Sequence, residues 1–226
     1  GFAVKAPAST LEDIKELDGV KNAFVEQSYA VPTDQGSSAS ATESALKNQN
    51  ALEATGADQV DVKGDGQVVA IIDTGLDTDH EAFSGDLDDA AVALSSADVD
   101  SLKAELTGSG GAYVSEKIPF AYDYADGDSD VNPGLAGLEH GTHVAGIAAA
   151  NGGDQIRGTA PNAQIVAMKV ASDASGAMYD STILAAIDDC GVILPDSVNI
   201  SLGSDAGFSD EGNATFADAI GALEDA

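Results

Sequence analysis

Asp73 ends a run of five apolar residues and is the first position in the chain that suggests chemistry. The stretch VVAIIDTGLDTDH, residues 68–80, places its carboxylate where a buried strand would end. Burying a carboxylate is unfavourable unless it is hydrogen-bonded or paired with a positive charge. Capping of the Thr74-Gly75 turn explains Asp73 as well as a catalytic role does, so this position alone leaves both interpretations open.

His140 opens a second stretch of interest, HGTHVAGIAAA. Histidine exchanges protons near neutral pH, and an aspartate at a strand end is a natural acceptor for its second ring nitrogen. His143 follows three positions later, whereas zinc-binding protease helices space their histidines four apart with a glutamate between them. We therefore predict no metal here, a buried structural role for His143, and a surface or turn role for His80.

A third stretch, VNISLG at residues 198–203, is another apolar strand that ends in a small turn. Ser201, Leu202 and Gly203 would leave backbone N–H and C=O groups free at this turn. An extended peptide can add to such an edge as an extra strand. Taken alone, this stretch indicates peptide binding only weakly.

The elements that must position these residues alternate regularly along the chain. Apolar or alternating patterns predict strands at residues 66–75, 117–124, 163–170 and 196–203, and helices at residues 140–150, 180–191 and 214–226. Strands that alternate with helices favour an α/β fold with a doubly wound, mostly parallel sheet. In such sheets, ligands bind beyond the carboxyl ends of the strands, where Asp73 and the Ser-Leu-Gly turn would lie.

The first part of the chain has a different residue pattern and composition. Residues 1–32 have the pattern of strand, helix and strand, and residues 33–43 are polar and small, as in an exposed linker. The remaining residues, 44–226, form the main predicted domain.

Composition excludes some partners. The chain has 39 acidic and 9 basic residues and a formal net charge of −30, so its general surface will not bind nucleic acid or an anionic membrane. No apolar run approaches the roughly 18 residues of a membrane span. The single cysteine, Cys190, excludes an internal disulfide and is expected to be a small buried side chain.

Calcium is the cation that the acidic residues could bind. The stretch DGDSDVN, residues 126–132, begins like an EF-hand loop, but Val131 and Gly137 replace the glycine and the glutamate that such a loop needs. We predict a solvated acidic loop and retain calcium as a possible ligand, with no cofactor required.

AIIDTGLDTDH, HGTHVAGIAAA and VNISLG, in this order, resemble the aspartate, histidine and substrate-edge segments of subtilisin-like serine proteases (subtilases). The resemblance implies that Asp73 and His140 belong to an Asp-His-Ser triad. It also implies that Ser201, Leu202 and Gly203 line the substrate cleft, opposite residues 172–176.

The resemblance extends further along the chain. Residues 1–32 are similar to the C-terminal part of an inhibitory propeptide with an α+β fold. Residues 117–170 are similar to the cell-envelope proteases of Gram-positive bacteria, of the lactocepin and C5a-peptidase type. A secreted or cell-wall location and protein or peptide substrates follow from this resemblance. Many subtilases place a calcium-binding aspartate nine residues after the triad aspartate, where this chain has Ala82.

The nucleophile of the family is a serine in a Gly-Thr-Ser turn, and no such tripeptide occurs in the chain. We therefore expect these residues to be the first half of a catalytic domain, inactive by themselves, from a serine endopeptidase. One alternative is a catalytically inactive subtilase that binds peptides. Another is an unrelated acidic α/β domain that binds cations.

Overall fold

The computed structural model describes residues 1–29, 51–153, 156–203 and 210–225. Its helices are α1 (Leu11–Lys15), α2 (residues 51–55), α3 (Ser96–Leu102), α4 (His140–Ala149), α5 (Asp180–Ile193) and α6 (Asp210–Glu224). Its strands are β1 (Ser28–Tyr29), β2 (Val68–Asp73), β3 (Phe120–Asp123), β4 (Gln164–Lys169), β5 (Met178–Tyr179) and β6 (Ser197–Ile200).

Four of the strands form a parallel sheet in the order β3-β4-β2-β6. Side chains along β2 alternate between two apolar layers, since Ala70 and Ile72 pack in one core cluster and Ile71 packs in the other. A strand covered on both faces needs apolar residues at every position, which explains the continuous apolar run before Asp73. The predicted α/β class with a mostly parallel sheet is confirmed.

Helices cover both faces of this sheet. Ala145 and Ala149 of α4 pack against one face, and Ala186 and Cys190 of α5 pack against the other. These small residues let the helices lie close to the strands. Cys190 is fully buried, and burial raises the pKa of its thiol to about 12, so the prediction of a small buried side chain is correct.

The first 29 residues contain less regular structure than predicted. Helix α1 forms within the stretch predicted to be helical, residues 9–19, but the only strand among the first 29 residues is Ser28–Tyr29. It pairs antiparallel with β5, which is itself two residues long, so a longer ladder has no partner to follow. The predicted strand over residues 1–7 is therefore wrong, and the predicted strand over residues 20–32 forms only at Ser28–Tyr29 among its described residues.

Two further predictions concern the linker and membrane-spanning segments. The predicted linker, residues 33–43, lies outside the described residues. Among the helices that the structure describes, none has the length and apolar character that crossing a membrane requires.

Candidate active site

Strand β2 delivers Asp73 to the carboxyl edge of the sheet, where its side chain is 1% exposed. The backbone N–H of Thr74 donates to Asp73 Oδ1 over 2.7 Å. At Gly75 the backbone φ is +127°, and an added Cβ would lie 2.5 Å from the carbonyl oxygen of Val131. Only glycine fits this turn, so the carboxylate is held by a sharply bent and tightly packed backbone.

His140 is the first residue of α4, and its ring meets Asp73 directly. His140 Nδ1 lies 2.8 Å from Asp73 Oδ1, and the histidine side chain is 29% exposed. The aspartate is thus buried behind a histidine whose other ring nitrogen, Nε2, has no hydrogen-bond partner among the described residues. The two residues that sequence analysis singled out 67 positions apart form one hydrogen-bonded pair.

The close approach of α4 to β2 depends on Gly141 and Thr74. A Cβ at Gly141 would lie 2.2 Å from the carbonyl oxygen of Gly75, so a larger residue would push the helix away. The Thr74 hydroxyl donates to the carbonyl of Leu138 over 2.6 Å and accepts from the N–H of Gly141 at 3.0 Å. Thr74 therefore joins the two segments that bear Asp73 and His140. The sequence does not indicate this role, since a threonine after an aspartate also suits an ordinary turn.

The second oxygen of the Asp73 carboxylate differs from most buried polar atoms in its hydrogen bonding. Asp73 Oδ2 is buried and has no hydrogen-bond partner among the described residues. Most buried polar atoms have a partner, and a catalytic role is one of the explanations for an exception. The carboxylate thus keeps an unneutralised oxygen beside His140.

Two backbone segments flank Asp73 on either side. Ser201, Leu202 and Gly203 follow β6, and residues 172–176 follow β4, and both strands pair with β2. The Ser201 hydroxyl donates to Asn199 Oδ1 over 2.7 Å, and Gly203 is exposed. The segments predicted to line a cleft therefore lie at the same edge of the sheet as the Asp73–His140 pair.

The other two histidines are not part of this pair. His80 is exposed, and its Nδ1 accepts the N–H of Ala82 at the start of a 3-10 turn, as predicted for a turn residue. His143 is exposed, so the prediction of a buried structural role is wrong. Helix α4 buries Gly141 and Ala145, four residues apart, and His143 lies off that stripe.

Three acidic side chains among the described residues lie close enough together to share a metal ion. Carboxylate oxygens of Asp123, Asp126 and Asp173 lie within 4.8 Å of one another. The ammonium of Lys169 already lies among them and donates to Asp123 and Asp173. Ala82, at the position where many subtilases have a calcium ligand, is buried in the apolar core.

Comparison with known proteins gives a consistent result. The model of the subtilase family matches residues 64–226. The PI-type proteinase of Lactococcus lactis subsp. cremoris is 36% identical over 214 residues, covering 92% of this chain and 10% of that protein. A C5a peptidase of Streptococcus pyogenes serotype M6 is 34% identical over 151 residues, covering 64% of this chain and 12% of that protein.

A solved structure of a cold-adapted subtilisin-like serine proteinase is 26% identical, with a TM-score of 0.47, and the match covers 72% of this chain and 45% of that one. The chain therefore spans about a tenth of the length of the relatives that it matches in sequence.

Proposed function

The chain belongs to the subtilase family, and from this premise we propose that it supplies the aspartate and the histidine of a serine endopeptidase. The observation behind the proposal is the 2.8 Å contact between His140 Nδ1 and the buried Asp73 carboxylate. Family membership also contradicts the alternative of an unrelated acidic domain that binds cations.

In the proposed reaction, Asp73 and His140 act as one unit. His140 donates its Nδ1–H to Asp73, so Nε2 is the basic nitrogen and faces the cleft. Nε2 takes the proton of the nucleophilic serine when that serine attacks the scissile carbonyl carbon. It then gives the proton to the leaving amine. Asp73 accepts the Nδ1–H of His140 and stabilises the imidazolium that forms.

Ser201, Leu202 and Gly203 are proposed to bind the substrate backbone on one side, and residues 172–176 on the other. Support comes from their positions after β6 and β4, the two strands that flank β2. A peptide between them would lie along the carboxyl edge of the sheet, within reach of His140. Protein or peptide substrates are therefore the proposed partners.

We also propose that residues 1–32 are the tail of an inhibitory propeptide. Strand β1 adds to β5, close to the start of α5, as an extended peptide would. Asp180, 3% exposed, accepts the Gln27 N–H at 2.7 Å and the Tyr29 hydroxyl at 2.6 Å. The Glu26 carboxylate accepts the N–H of Ser181 at 2.9 Å, which places negative charge at the N-terminus of α5.

The packing of this segment is incomplete elsewhere. A cavity of about 800 Å³ lies between residues 1–26 and α5. A segment held mainly by contacts around Asp180 and by a hydrogen bond from Asn22 to Thr215, with an open pocket beside it, suits a part that is later released. A secreted or cell-wall location in a Gram-positive bacterium is proposed from the relatives.

A fluorophosphonate probe tests the proposed chemistry, since it labels only an activated serine. No Gly-Thr-Ser sequence occurs in the 226 residues, so we expect no labelling of this chain. The full-length gene product should be labelled and should cleave a denatured protein substrate. His140→Gln should reduce cleavage about 10⁴-fold or more. Labelling of the 226-residue chain, or undiminished cleavage by His140→Gln, would contradict the proposal.

A catalytically inactive, peptide-binding subtilase is the second candidate function. The pairing of β1 with β5 favours it, because an extended segment of the chain itself is held there by strand pairing, which needs no nucleophile. A full-length gene product that binds peptides without reacting with the probe would support this candidate over the peptidase.

A further inference from the structure

Three neighbouring strands end in a row of buried charges at the carboxyl edge of the sheet. In register, Asp123 of β3 stands beside Lys169 of β4, and Lys169 stands beside Asp73 of β2. Lys169 is 0% exposed. Its ammonium donates to the Asp123 carboxylate and to Asp173 Oδ1 over 2.6 Å, and lies 3.9 Å from Asp126 Oδ2. We call Asp123, Asp126, Asp173 and Lys169 the lysine cluster.

The carboxylates of this cluster have the chemistry of a calcium site, but the Lys169 ammonium occupies the centre of the cluster. Calcium binds several carboxylate oxygens at once, and these three groups are close enough to share an ion. The ammonium already interacts with all three. Burial disfavours its charge, yet the hydrogen bonds to Asp123 and Asp173 outweigh burial and raise the pKa of Lys169, so the group is a cation.

The lysine has little room to leave the cluster. Gly75 lies over its aliphatic stem, and a Cβ there would be 3.0 Å from Lys169 Cδ. A metal ion would have to displace an ammonium whose stem is packed beneath the turn that follows Asp73. The residues present therefore do not fit a bound metal as long as Lys169 is there.

The cluster also ties together segments that are distant in sequence. Asp123 Oδ1 accepts the N–H of Ala125 at 2.8 Å in the turn after β3. Asp126 Oδ2 accepts the N–H of Asp173 at 2.7 Å. Asp173 belongs to residues 172–176, so the cluster holds this segment against the ends of β3 and β4.

We propose that Lys169 is a built-in cation that occupies the position a calcium ion would otherwise take, and that it fixes residues 172–176 without metal. The cation assignment does not depend on peptidase activity. The assignment of residues 172–176 to one edge of the substrate cleft does rest on the proposed function.

Lys169→Met removes the ammonium and keeps a stem of similar length. We expect its Tm in EDTA to fall by about 10 °C, because Asp123 is left buried without its partner. Millimolar CaCl₂ should restore part of that loss, since calcium then takes the position of the ammonium. The double variant Lys169→Met/Asp173→Asn is the matched control and should lack this restoration. A calcium response of Lys169→Met no larger than that of the double variant would overturn the proposal.

If Lys169→Met does not fold, the calcium dependence of the Tm of wild type and of Asp173→Asn tests whether calcium binds at the cluster. With Lys169 present, calcium should change the Tm of both proteins equally, because neither binds calcium at the cluster. A calcium-induced rise in wild type that Asp173→Asn loses would overturn the proposal. In calcium-free hydrogen exchange, amides of residues 172–176 should exchange about tenfold faster in Asp173→Asn than in wild type. Neither measurement uses peptide hydrolysis, so failure here is distinct from failure of the proposed function.

Discussion

Two buried lysines lie at opposite ends of the sheet, and they are stabilised in different ways. Lys169 ends β4 and donates to the carboxylates of Asp123 and Asp173. Lys117 precedes β3 at the amino end and donates to two backbone carbonyls, those of Pro161, over 2.8 Å, and Ala163. Burial lowers the pKa of Lys117 to about 7, whereas the carboxylates raise the pKa of Lys169. The charge of the partner, rather than burial, decides whether a buried lysine stays charged.

Gln164 and Asp73, at opposite ends of the sheet, differ in how their buried polar atoms are paired. At the amino end, Gln164 is fully buried and satisfied by neutral backbone groups of Ala93, Leu94 and Glu116. At the carboxyl end, Asp73 retains a buried oxygen without a partner among the described residues. Neutral backbone groups thus satisfy Gln164 at the amino end, whereas the carboxyl end, which holds the candidate site, keeps one buried carboxylate oxygen without a partner among the described residues.

Asp123→Asn should have the largest effect, because it removes charge from the carboxyl end while keeping a similar shape. We expect a loss of about 3 kcal/mol in the free energy of unfolding, since the Lys169 ammonium loses a buried counter-charge. Urea unfolding followed by circular dichroism measures it. Asp128→Asn, at an exposed position of the same loop, is the control and should change stability by less than about 0.5 kcal/mol. Equal effects of the two variants would show that pairing with Lys169 does not matter.

Lys117→Met tests the amino end through pH. The pKa of Lys117 in the folded chain, about 7, lies below the unfolded value of about 10.4. Between these values the unfolded chain binds more protons, so the free energy of unfolding of wild type rises with pH. Relative to Lys117→Met, wild type should gain about 2 kcal/mol between pH 7 and pH 9.

Measuring wild type and Lys117→Met over one pH series cancels the titration of all other groups. A stability difference that stays constant from pH 7 to pH 9 would contradict a lowered pKa for Lys117. Lys169 should behave in the opposite way, because its raised pKa keeps its stabilising charge throughout this range and loses it only at higher pH.

Tyr29→Phe should have the smallest effect, because it removes a neutral donor from a buried charge. Asp180 would lose the Tyr29 hydroxyl but keep the Gln27 N–H, at a cost of about 1 kcal/mol. Residues 1–29 should then be cleaved about fivefold faster in limited proteolysis, as their local opening becomes more populated. Tyr113→Phe, at a partly buried tyrosine before β3, is the control and should leave this rate unchanged. An unchanged rate in Tyr29→Phe would show that this hydroxyl does not hold the segment.

Much of the fold could be predicted from local pattern. The apolar run before Asp73 and the small residues after His140 predict a buried strand and a closely packed helix, because side-chain period follows directly from backbone geometry. The burial of Cys190 followed in the same way. The prediction for His143 was wrong because its position, three residues after His140 in the helix, does not determine which helix face packs against the sheet.

The sequence by itself determined the α/β class, the strand-end position of Asp73 and the helix-start position of His140, since each depends on residues nearby in the chain. Only the tertiary structure decided which strands are neighbours. That order placed Lys169 between Asp123 and Asp73, and it let the Thr74 hydroxyl join two distant segments. The physical reason is that periodicity indicates which side chains are buried, while the partner that each buried charge meets depends on how distant strands and loops pack together.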